Sequence, residues 1–433
     1  MPYVPTDVVE VRAWDLTVGA VARDPATGYY AFEFEPGWLA TRRDLSPIVM
    51  PSRPGVFVFA DLDPQTYHRL PPMLADSLPD RFGNALVNAW MAEQGITAAQ
   101  VTPLDRLAYA ADRAMGALEF RPPAVEPPSA PTAVQLADLV TAARAAVSGD
   151  LDAAPRDALH ELIQVGTSAG GARAKAVVAF NPATGQIRSG QIDAPAGFEQ
   201  WIIKLDGVSG DPTRDTDPFA DGESYGRIEY AYARMAAQAG IEMTECRLLP
   251  EGPRTHFMTR RFDRDAARGR IHVQTLCGIA GLDFNLVGAH SYAQYLEVID
   301  ALGLGPAARE QAFRRIVFNV AAMNRDDHTK NLAFLMSVDG EWSLAPAYDV
   351  THAHNPSGTW TSRHQMSING QFEHITLDDL DTVGDRFAVP GYRGIAREVP
   401  VVVARWPEFA AEAGVDQAHT DRIAEDLATH TLA

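Results

Sequence analysis

The sequence has little cysteine, no long apolar run and no excess of basic residues. Its two cysteines, Cys246 and Cys277, lack the spacing of a metal motif, which favours a reducing cytoplasm over a disulfide-stabilised secreted class. No stretch approaches about 18 consecutive apolar residues, and the N-terminus has neither a basic region nor an apolar core, so we expect no membrane span and no signal peptide. The net charge of −19 argues against broad contact with nucleic-acid phosphates.

The 433 residues suffice for two or three domains, and the apolar content of 46% is that of a globular protein. Short apolar runs at 28–34 and 55–60 indicate strands, and Asp80 is placed to cap a helix. A proline-rich segment follows near residue 121 and indicates a linker. We therefore predict an N-terminal subdomain over 1–120 and a linker over 121–134.

After this linker the pattern predicts a helix at 132–147, strands at 174–180 and 201–205, and a helix at 224–239. From residue 290 onward it is mostly helical. The chain is thus predicted to be α+β, with a mixed α/β N-terminal part and a mainly helical C-terminal lobe. We predict an N-lobe over residues 135–259 and a helical C-lobe over residues 260–433.

The hexapeptide Asp-Asp-His-Thr-Lys-Asn at 326–331 is the most informative segment. An Asp followed five positions later by an Asn is the spacing of a kinase catalytic loop, in which the Asp orients the accepting hydroxyl and the Asn binds magnesium. Asp326 and Asn331 fit these roles. A polar loop that caps an ordinary hairpin is the structural alternative.

The residues after this loop predict a hairpin with a two-residue turn at Asp339-Gly340. In that register Asn331 lies opposite Tyr348, next to Asp349. Cross-strand neighbours are about 5 Å apart, so Asn331 and Asp349 are expected to reach one Mg²⁺ ion.

A glycine-rich turn at 166–171 precedes a strand and resembles a loop that covers phosphates with its backbone N–H groups. It is not a Walker A loop, because Ala172-Arg173 follow instead of Lys-Ser or Lys-Thr. Lys175 is either a further phosphate contact or an exposed strand residue.

Lys204 interrupts an apolar strand, and Glu229 interrupts the apolar face of the following helix. A strand lysine paired with a helix glutamate holds the nucleotide phosphates in kinases, although a buried structural ion pair would also explain both residues. Within the 326–331 loop, His328 could orient the transition state, and Lys330 could offset phosphoryl charge or be solvated. His352 and His354 suggest zinc only weakly, because the sequence offers no third ligand beside them.

Taken in order, these motifs resemble the HipA family of bacterial Ser/Thr protein kinases, the toxins of type II toxin–antitoxin pairs, whose fold is distantly similar to that of phosphatidylinositol kinases. The segments that carry the resemblance span nearly the whole chain: Leu-Pro-Asp (78–80), Gly-Ala-Leu-Glu-Phe (116–120), Gly-Thr-Ser-Ala-Gly-Gly-Ala-Arg-Ala-Lys (166–175), Ile-Ile-Lys-Leu (202–205), Arg-Arg-Phe-Asp-Arg (260–264), Asp-Asp-His-Thr-Lys-Asn (326–331) and Leu-Ala-Pro-Ala-Tyr-Asp-Val (344–350).

The resemblance implies a catalytic base at Asp326, an autophosphorylation site at Ser168 and a Mg²⁺ pair at Asn331 and Asp349. Lys204 would hold the α- and β-phosphates. The residues implied to contact ATP are Gly170, Gly171, Ala172, Arg173, Lys175, Lys204, the hinge Arg260, Arg261, Phe262 and Asp263, and His328, Lys330, Asn331, Tyr348 and Asp349.

The sequence departs from the family pattern in two places. Arg260 stands where the family has an acidic residue, and Val273-Gln274-Thr275 stands where Gln-Glu-Asp is common. We expect these differences to affect substrate choice and activation more than phosphoryl transfer itself.

The resemblance also implies ATP and Mg²⁺ as cofactors, a HipB-like helix-turn-helix antitoxin that links the chain to operator DNA, and a substrate in the translation machinery such as an aminoacyl-tRNA synthetase. No membrane partner is expected. The alternatives are a small-molecule or lipid kinase, or an ATP-binding co-repressor without catalytic activity.

Overall fold

The structure, a computed structural model, describes residues 5–124, 136–148, 162, 173–190, 194–208, 224–252, 254–265 and 269–429. The chain divides into two compact units. The first comprises Met1–Gly210, Met258–Gln274 and Leu335–Glu341, and the second comprises Asp211–Phe257, Thr275–Phe334 and Trp342–Ala433. The domain boundaries expected from the sequence stay a prediction.

The first unit begins with an antiparallel five-stranded sheet. Its strands are β1 Val8–Ala13, β2 Leu16–Arg23, β3 Tyr30–Phe34, β4 Val56–Phe57 and β5 Leu118–Arg121, in the order β4-β3-β2-β1-β5. Alternate residues Val9, Val11 and Ala13 are fully buried, as one face of a half-buried strand requires. Gly19 allows β2 to approach β3 closely, since a Cβ there would lie 2.2 Å from the carbonyl oxygen of Glu33.

The described residues of the first unit also form five helices: α1 Pro36–Ala40, α2 Pro72–Ala75, α3 Arg81–Glu93, α4 Pro103–Ala110 and α5 Leu136–Ser148. The expected cap of α3 is confirmed, because the Asp80 carboxylate accepts a hydrogen bond from the N–H of Gly83 at 2.6 Å. This helix turns Phe82, Leu86 and Val87 into the core.

The two strands expected after the linker are confirmed as β6 Lys175–Phe180 and β8 Glu199–Lys204, which pair antiparallel, with β7 Ile187–Ser189 on the other side of β6. All six residues of β6 are buried. In this register Lys175 lies opposite Lys204.

The described residues form nine further strands: β9 Cys246–Glu251, β10 Arg254–Arg260, β11 Arg264–Asp265, β12 Gly269–Arg270, β13 His272–Thr275, β14 His290–Ser291, β15 Ala333–Met336, β16 Trp342–Leu344 and β17 Met366–Ser367.

The second unit is mainly helical, as expected. Its helices are α6 Tyr225–Gln238, α7 Leu276–Ala280, α8 Tyr292–Ala301, α9 Gly305–Ala321, α10 Leu377–Arg386, α11 Tyr392–Val403, α12 Trp406–Ala413 and α13 Gln417–Ala428. The Tyr232 ring of α6 packs against Phe318 of α9 and Trp406 of α12, at centroid distances of 6.3 and 5.3 Å. Across the described ranges no helix has the length and apolar character needed to cross a membrane.

The hairpin formed by β15 and β16 differs from its predicted register. Ser337 and Glu341 are hydrogen-bonded, as are Ala345 and Ala333, so the loop has three residues instead of two. Gly340 has φ 87° and its N–H bonds to the Ser337 carbonyl, as in a three-residue hairpin with glycine in the left-handed position. The predicted two-residue turn is therefore wrong, and the register places Tyr348 nearest Lys330 instead of Asn331.

Candidate active site

The loop that contains Asp326 is supplied by α9. This helix buries Phe313, Ile316, Val317 and Val320 completely, so its end is held by the core. The chain then turns at Met323, which has φ 53°, and closes the loop with a 3-10 turn at Thr329–Asn331. The expected catalytic loop thus lies between a rigid helix and the first strand of a hairpin.

The two adjacent aspartates of this loop have different environments. The Asp326 side chain is 37% exposed, whereas that of Asp327 is 0% exposed. Asp327 Oδ2 accepts from the Tyr292 hydroxyl and lies within hydrogen-bonding distance of His364 Nδ1, both at 2.8 Å. Asp326 is therefore the aspartate that a substrate can reach, and Asp327 anchors the loop.

The anchor extends into two helices. The Tyr292 hydroxyl accepts from Asn319 Nδ2, and Asn319 Oδ1 accepts from Asn324 Nδ2, both at 2.9 Å. Burial and the charge of Asp327 raise the pKa of Tyr292 well above its usual range. The phenol therefore stays protonated and donates a hydrogen bond to Asp327. This buried network fixes the backbone on both sides of Asp326.

Gln365 contacts both aspartates, a role that the sequence analysis missed. Its side-chain Nε2 donates to Asp326 Oδ1 at 3.2 Å, and its backbone N–H donates to Asp327 Oδ1 at 2.8 Å. His328 Nε2 lies 3.7 Å from Asp326 Oδ1. The Asp326 carboxylate is thus held between two polar side chains, and no local motif around Gln365 signals this.

Phe284 is a second functional candidate that the sequence analysis did not name. The His328 ring packs against the Phe284 ring at 5.6 Å, and Lys330 Nζ lies 4.7 Å from the centroid of the same ring. Thr329 Oγ1 donates to the Leu282 carbonyl at 2.7 Å. A cation over an aromatic face is stabilised by the ring quadrupole, so Phe284 orders Lys330 without neutralising it.

The residues expected to bind magnesium come from two adjoining segments. Asn331 Nδ2 donates to the Asp326 carbonyl at 2.8 Å, so its remaining polar atom is the oxygen Oδ1. The Tyr348 hydroxyl donates to the Lys330 carbonyl at 2.6 Å, and Asp349 follows Tyr348 in the chain. Asp349 has φ 56°, a left-handed conformation that few residues other than glycine tolerate as well as Asp and Asn. An amide oxygen and a carboxylate form a donor set that fits Mg²⁺.

In the first unit, Lys175 is buried beside Asp80, and its contact with ATP stays a prediction. Its Nζ lies 3.0 Å from Asp80 Oδ2, and the two side chains are 3% and 7% exposed. Lys175 is therefore buried beside the cap of α3 and is not an exposed strand residue. Arg173 and Lys204 are half-buried in the same unit.

The expected hinge, Arg260 to Asp263, contains a buried ion-pair network. Arg261 bonds both carboxylate oxygens of Asp263, at 2.9 and 2.6 Å, and Arg264 Nη1 donates to Oδ2 at 2.7 Å. The N–H of Gly116 donates to Oδ2 at 2.7 Å. Burial by itself would raise the pKa of Asp263, but the two guanidinium groups hold that pKa far below its usual range.

This network ties the hinge to the Gly116–Phe120 segment. The Arg261 and Asp263 side chains are engaged in it, whereas Arg260 is exposed and lies 3.5 Å from Glu199. Phe262 is half-buried. The contact of these residues with adenine stays a prediction.

The structure thus gathers part of the predicted site. Asp326, His328, Lys330, Asn331, Tyr348 and Asp349 all belong to the second unit, which also contains the buried Glu229. Lys204 belongs to the first unit, so its pairing with Glu229 stays a prediction. Ser168, Gly170, Gly171 and Ala172 lie outside the described residues.

Two family models match the chain: the HipA N-terminal domain over residues 9–121 and the HipA-like C-terminal domain over residues 167–433. A Haemophilus influenzae protein whose name gives it as a candidate kinase is 27% identical over 134 residues. That alignment covers 28% of this chain and 39% of the relative, so the chain matches about two fifths of the relative's length.

Among solved structures, the HipA of Shewanella oneidensis, determined with HipB and operator DNA, superposes with a TM-score of 0.65 at 17% identity. The superposition covers 98% of this chain and 96% of that one, so the two share a fold. The C-terminal family model alone spans more than half of the chain. The α+β chain described above therefore belongs to the HipA family and has its kinase-like fold.

Proposed function

We propose that this chain is an ATP- and Mg²⁺-dependent protein Ser/Thr kinase that acts as the toxin of a toxin–antitoxin pair. The observation that supports this proposal most strongly is the accessibility and orientation of the Asp326 carboxylate. This carboxylate is accessible, is oriented by Gln365 at 3.2 Å, and lies in a loop whose Asn331 side chain is bonded to the Asp326 carbonyl.

In this proposal the Asp326 carboxylate accepts a hydrogen bond from the substrate hydroxyl and orients its oxygen for attack. Asn331 and Asp349 hold the metal ion, and Lys330 offsets negative charge beside them. Bound Mg²⁺–ATP supplies the γ-phosphoryl group and a neutralising cation. The protein contributes positioning and electrostatic stabilisation, which are the main requirements of phosphoryl transfer.

Lys204, Arg173 and the 260–263 segment are proposed to contact the nucleotide. Lys175 is proposed to act there through Asp80, since the buried pair at 3.0 Å keeps the start of β6 in place. Ser168 is proposed as an autophosphorylation site. A phosphate there would add roughly −1.5 to −2 charge beside a site built for triphosphate, and would oppose ATP binding.

We further propose a HipB-like helix-turn-helix antitoxin as the partner that links this chain to operator DNA. The Shewanella oneidensis HipA was solved with HipB and operator DNA, which supports this assignment by family. The net charge of −19 favours DNA contact through a basic partner over direct contact. A component of the translation machinery, such as an aminoacyl-tRNA synthetase, is the proposed substrate class.

The experiment is phosphate transfer from labelled ATP with Mg²⁺, followed by mass spectrometry of the purified chain. Three proteins are compared: the unaltered chain, Asp326→Gln, and the control Asp339→Asn in the exposed hairpin loop. We expect phosphate on Ser168 in the unaltered and control proteins, and a loss of at least about 100-fold in Asp326→Gln.

Binding of ATP without transfer by any of the three proteins would favour an ATP-binding co-repressor. Transfer to lipids or small metabolites in a cell extract, with none to protein, would favour the other alternative. In either case the assignment of a protein kinase would be rejected.

A further inference from the structure

A histidine pair follows Asp349 in an extended segment that is fixed by backbone hydrogen bonds. The Ala353 N–H donates to the Met323 carbonyl, and the Arg325 N–H donates to the Ala353 carbonyl, both at 3.1 Å. Side chains alternate along an extended chain, so His352 and His354 share the side opposite Ala353. This segment is thereby attached to the turn that immediately precedes Asp326.

Helix α13 brings a carboxylate to the same place. Asp426 Oδ2 lies 3.1 Å from His352 Nε2 and 3.6 Å from His354 Nδ1. One ligand atom from each of the three residues can be chosen so that all lie within 4.8 Å of one another. The third ligand that the sequence did not reveal therefore comes from the last described helix.

The distances from Asp426 Oδ2 to the two imidazole nitrogens are compatible with a tetrahedral zinc site. With bonds of about 2.0–2.1 Å, neighbouring ligand atoms in a tetrahedron lie about 3.3 Å apart. The two distances to Asp426 are 3.1 and 3.6 Å, on either side of this value. Two imidazoles and a carboxylate suit zinc, whereas magnesium prefers oxygen ligands alone.

The burial of the cluster also suits a metal with one open position. The side chain of His352 is 1% exposed, that of His354 is 13% exposed and that of Asp426 is 28% exposed. Water can therefore reach the carboxylate side and supply a fourth ligand. Arg325, a charged neighbour of the cluster, directs its Nη1 to the Ser362 carbonyl and its Nη2 towards Met323 Sδ.

We propose that His352, His354 and Asp426 form a Zn²⁺ site that fastens α13 to the segment following Asp349. The site is separate from the Asn331 and Asp349 pair and does not depend on the proposed kinase activity. Because Ala353 is bonded to residues 323 and 325, zinc would also stabilise the start of the Asp326 loop. Removing zinc would loosen both connections.

The test uses the full chain without an affinity tag and without ATP. After dialysis against a chelator, Zn²⁺ is added, bound metal is counted by mass spectrometry, and the melting temperature is measured. The variants are His354→Ala and Asp426→Asn. The control is His419→Ala, which removes a histidine that lies 2.6 Å from an aspartate, Asp416, but belongs to no three-ligand cluster among the described residues.

We expect about one zinc per chain in the unaltered and control proteins, with a rise in melting temperature on adding Zn²⁺. Each variant should bind zinc at least about tenfold more weakly and lose that rise. Co²⁺ bound to the unaltered chain should show the visible absorption of a tetrahedral site, a readout that needs no variant.

Absence of tight zinc in the unaltered chain, or equal zinc binding by Asp426→Asn, would overturn the proposal. The three residues would then form a hydrogen-bonded cluster without metal. Phosphate transfer by a zinc-free chain would leave the proposed kinase function intact, so the two proposals can fail independently.

Discussion

Neighbouring aspartates in the 326–331 loop acquire different chemistry from their surroundings. Asp327 accepts from the Tyr292 hydroxyl and from the Gln365 backbone N–H while fully buried, whereas Asp326 remains open to solvent. An ionised carboxylate is tolerated inside a protein when hydrogen bonds replace its lost hydration. Asp327 is therefore a structural residue.

Replacing Asp327 by Asn should destabilise the fold. An amide has one oxygen, so either Tyr292 and His364 or the Gln365 N–H would face an NH₂ group instead of an acceptor. We expect the free energy of unfolding to fall by about 2–4 kcal/mol, because buried donors lose a charged acceptor. Urea denaturation measures this change.

The control is Asp326→Asn, which should change the free energy of unfolding by less than about 0.5 kcal/mol because its side chain is partly solvated. Equal losses in the two variants would contradict the division of roles.

Gln365 is expected to act as a positioning residue for Asp326 in the proposed kinase. Gln365→Met removes the Nε2 donor that lies 3.2 Å from Asp326 Oδ1, so kcat should fall roughly tenfold while the KM for ATP stays unchanged. Gln365→Glu would place a second carboxylate beside Asp326, and repulsion between the two negative charges would favour protonation of the pair. The acidic limb of the pH–rate profile should then move to higher pH.

Gln371→Glu, at an exposed position of the same segment, is the matched control and should leave this limb in place. A merely structural Gln365 would lower activity in both variants without moving the pH profile.

Between secondary-structure elements, the buried pair of Lys175 and Asp80 joins the first residue of β6 to the N-cap of α3. Asp80 also accepts the Gly83 N–H, so one carboxylate stabilises a helix end and neutralises a strand lysine. Both side chains are almost fully buried, which makes each dependent on the other.

Lys175→Met should therefore lower the free energy of unfolding by about 3–5 kcal/mol, since it removes the cation from a buried ion pair. Adding Asp80→Asn should restore part of this loss, because Asn still caps α3 and carries no charge. A double-mutant cycle followed by urea denaturation measures the coupling.

Lys204→Met is the matched control, since Lys204 lies opposite Lys175 in the strand pair and is only half-buried. It should cost less than Lys175→Met. If the Lys175 and Asp80 changes prove additive, the pair is not coupled.

For the whole molecule, buried ionisable groups predict a loss of stability in acid. Burial lowers the pKa of His272 from 6.5 to about 4, an effect only partly opposed by the hydrogen bond to the Leu45 carbonyl. The unfolded chain therefore binds a proton below pH 6.5 that the folded chain does not take up until about pH 4. Asp263 adds a similar loss at still lower pH.

The free energy of unfolding should thus fall as the pH drops from about 6.5 to about 4, with His272 accounting for up to roughly 3 kcal/mol. His272→Gln, which keeps a donor for Leu45, should show a shallower pH dependence in this interval. Denaturation curves in a series of buffers measure the slope. The same slope in both proteins would exclude His272 as its source.

Much of the chain's local organisation followed from the sequence. The strands β3, β6 and β8, the Asp80 cap and helix α6 were all predicted, because periodicity and capping depend on a few neighbouring residues. The motif at 326–331 and its companions indicated the family, which the family models confirm.

Features that depend on packing could not be obtained in this way. The hairpin loop has one residue more than predicted, which shifts the pairing of the two strands. Gly340 is left-handed while Asp339 is not, whereas a two-residue type I′ turn needs both residues to be left-handed. The different roles of Asp326 and Asp327 depend on hydrogen bonds from Gln365, which is 38 residues from Asp327. The histidine pair meets Asp426 only because of where α13 packs. Such contacts join side chains that no short window of sequence contains, so the burial and partners of these residues arise only when the helices and loops pack together.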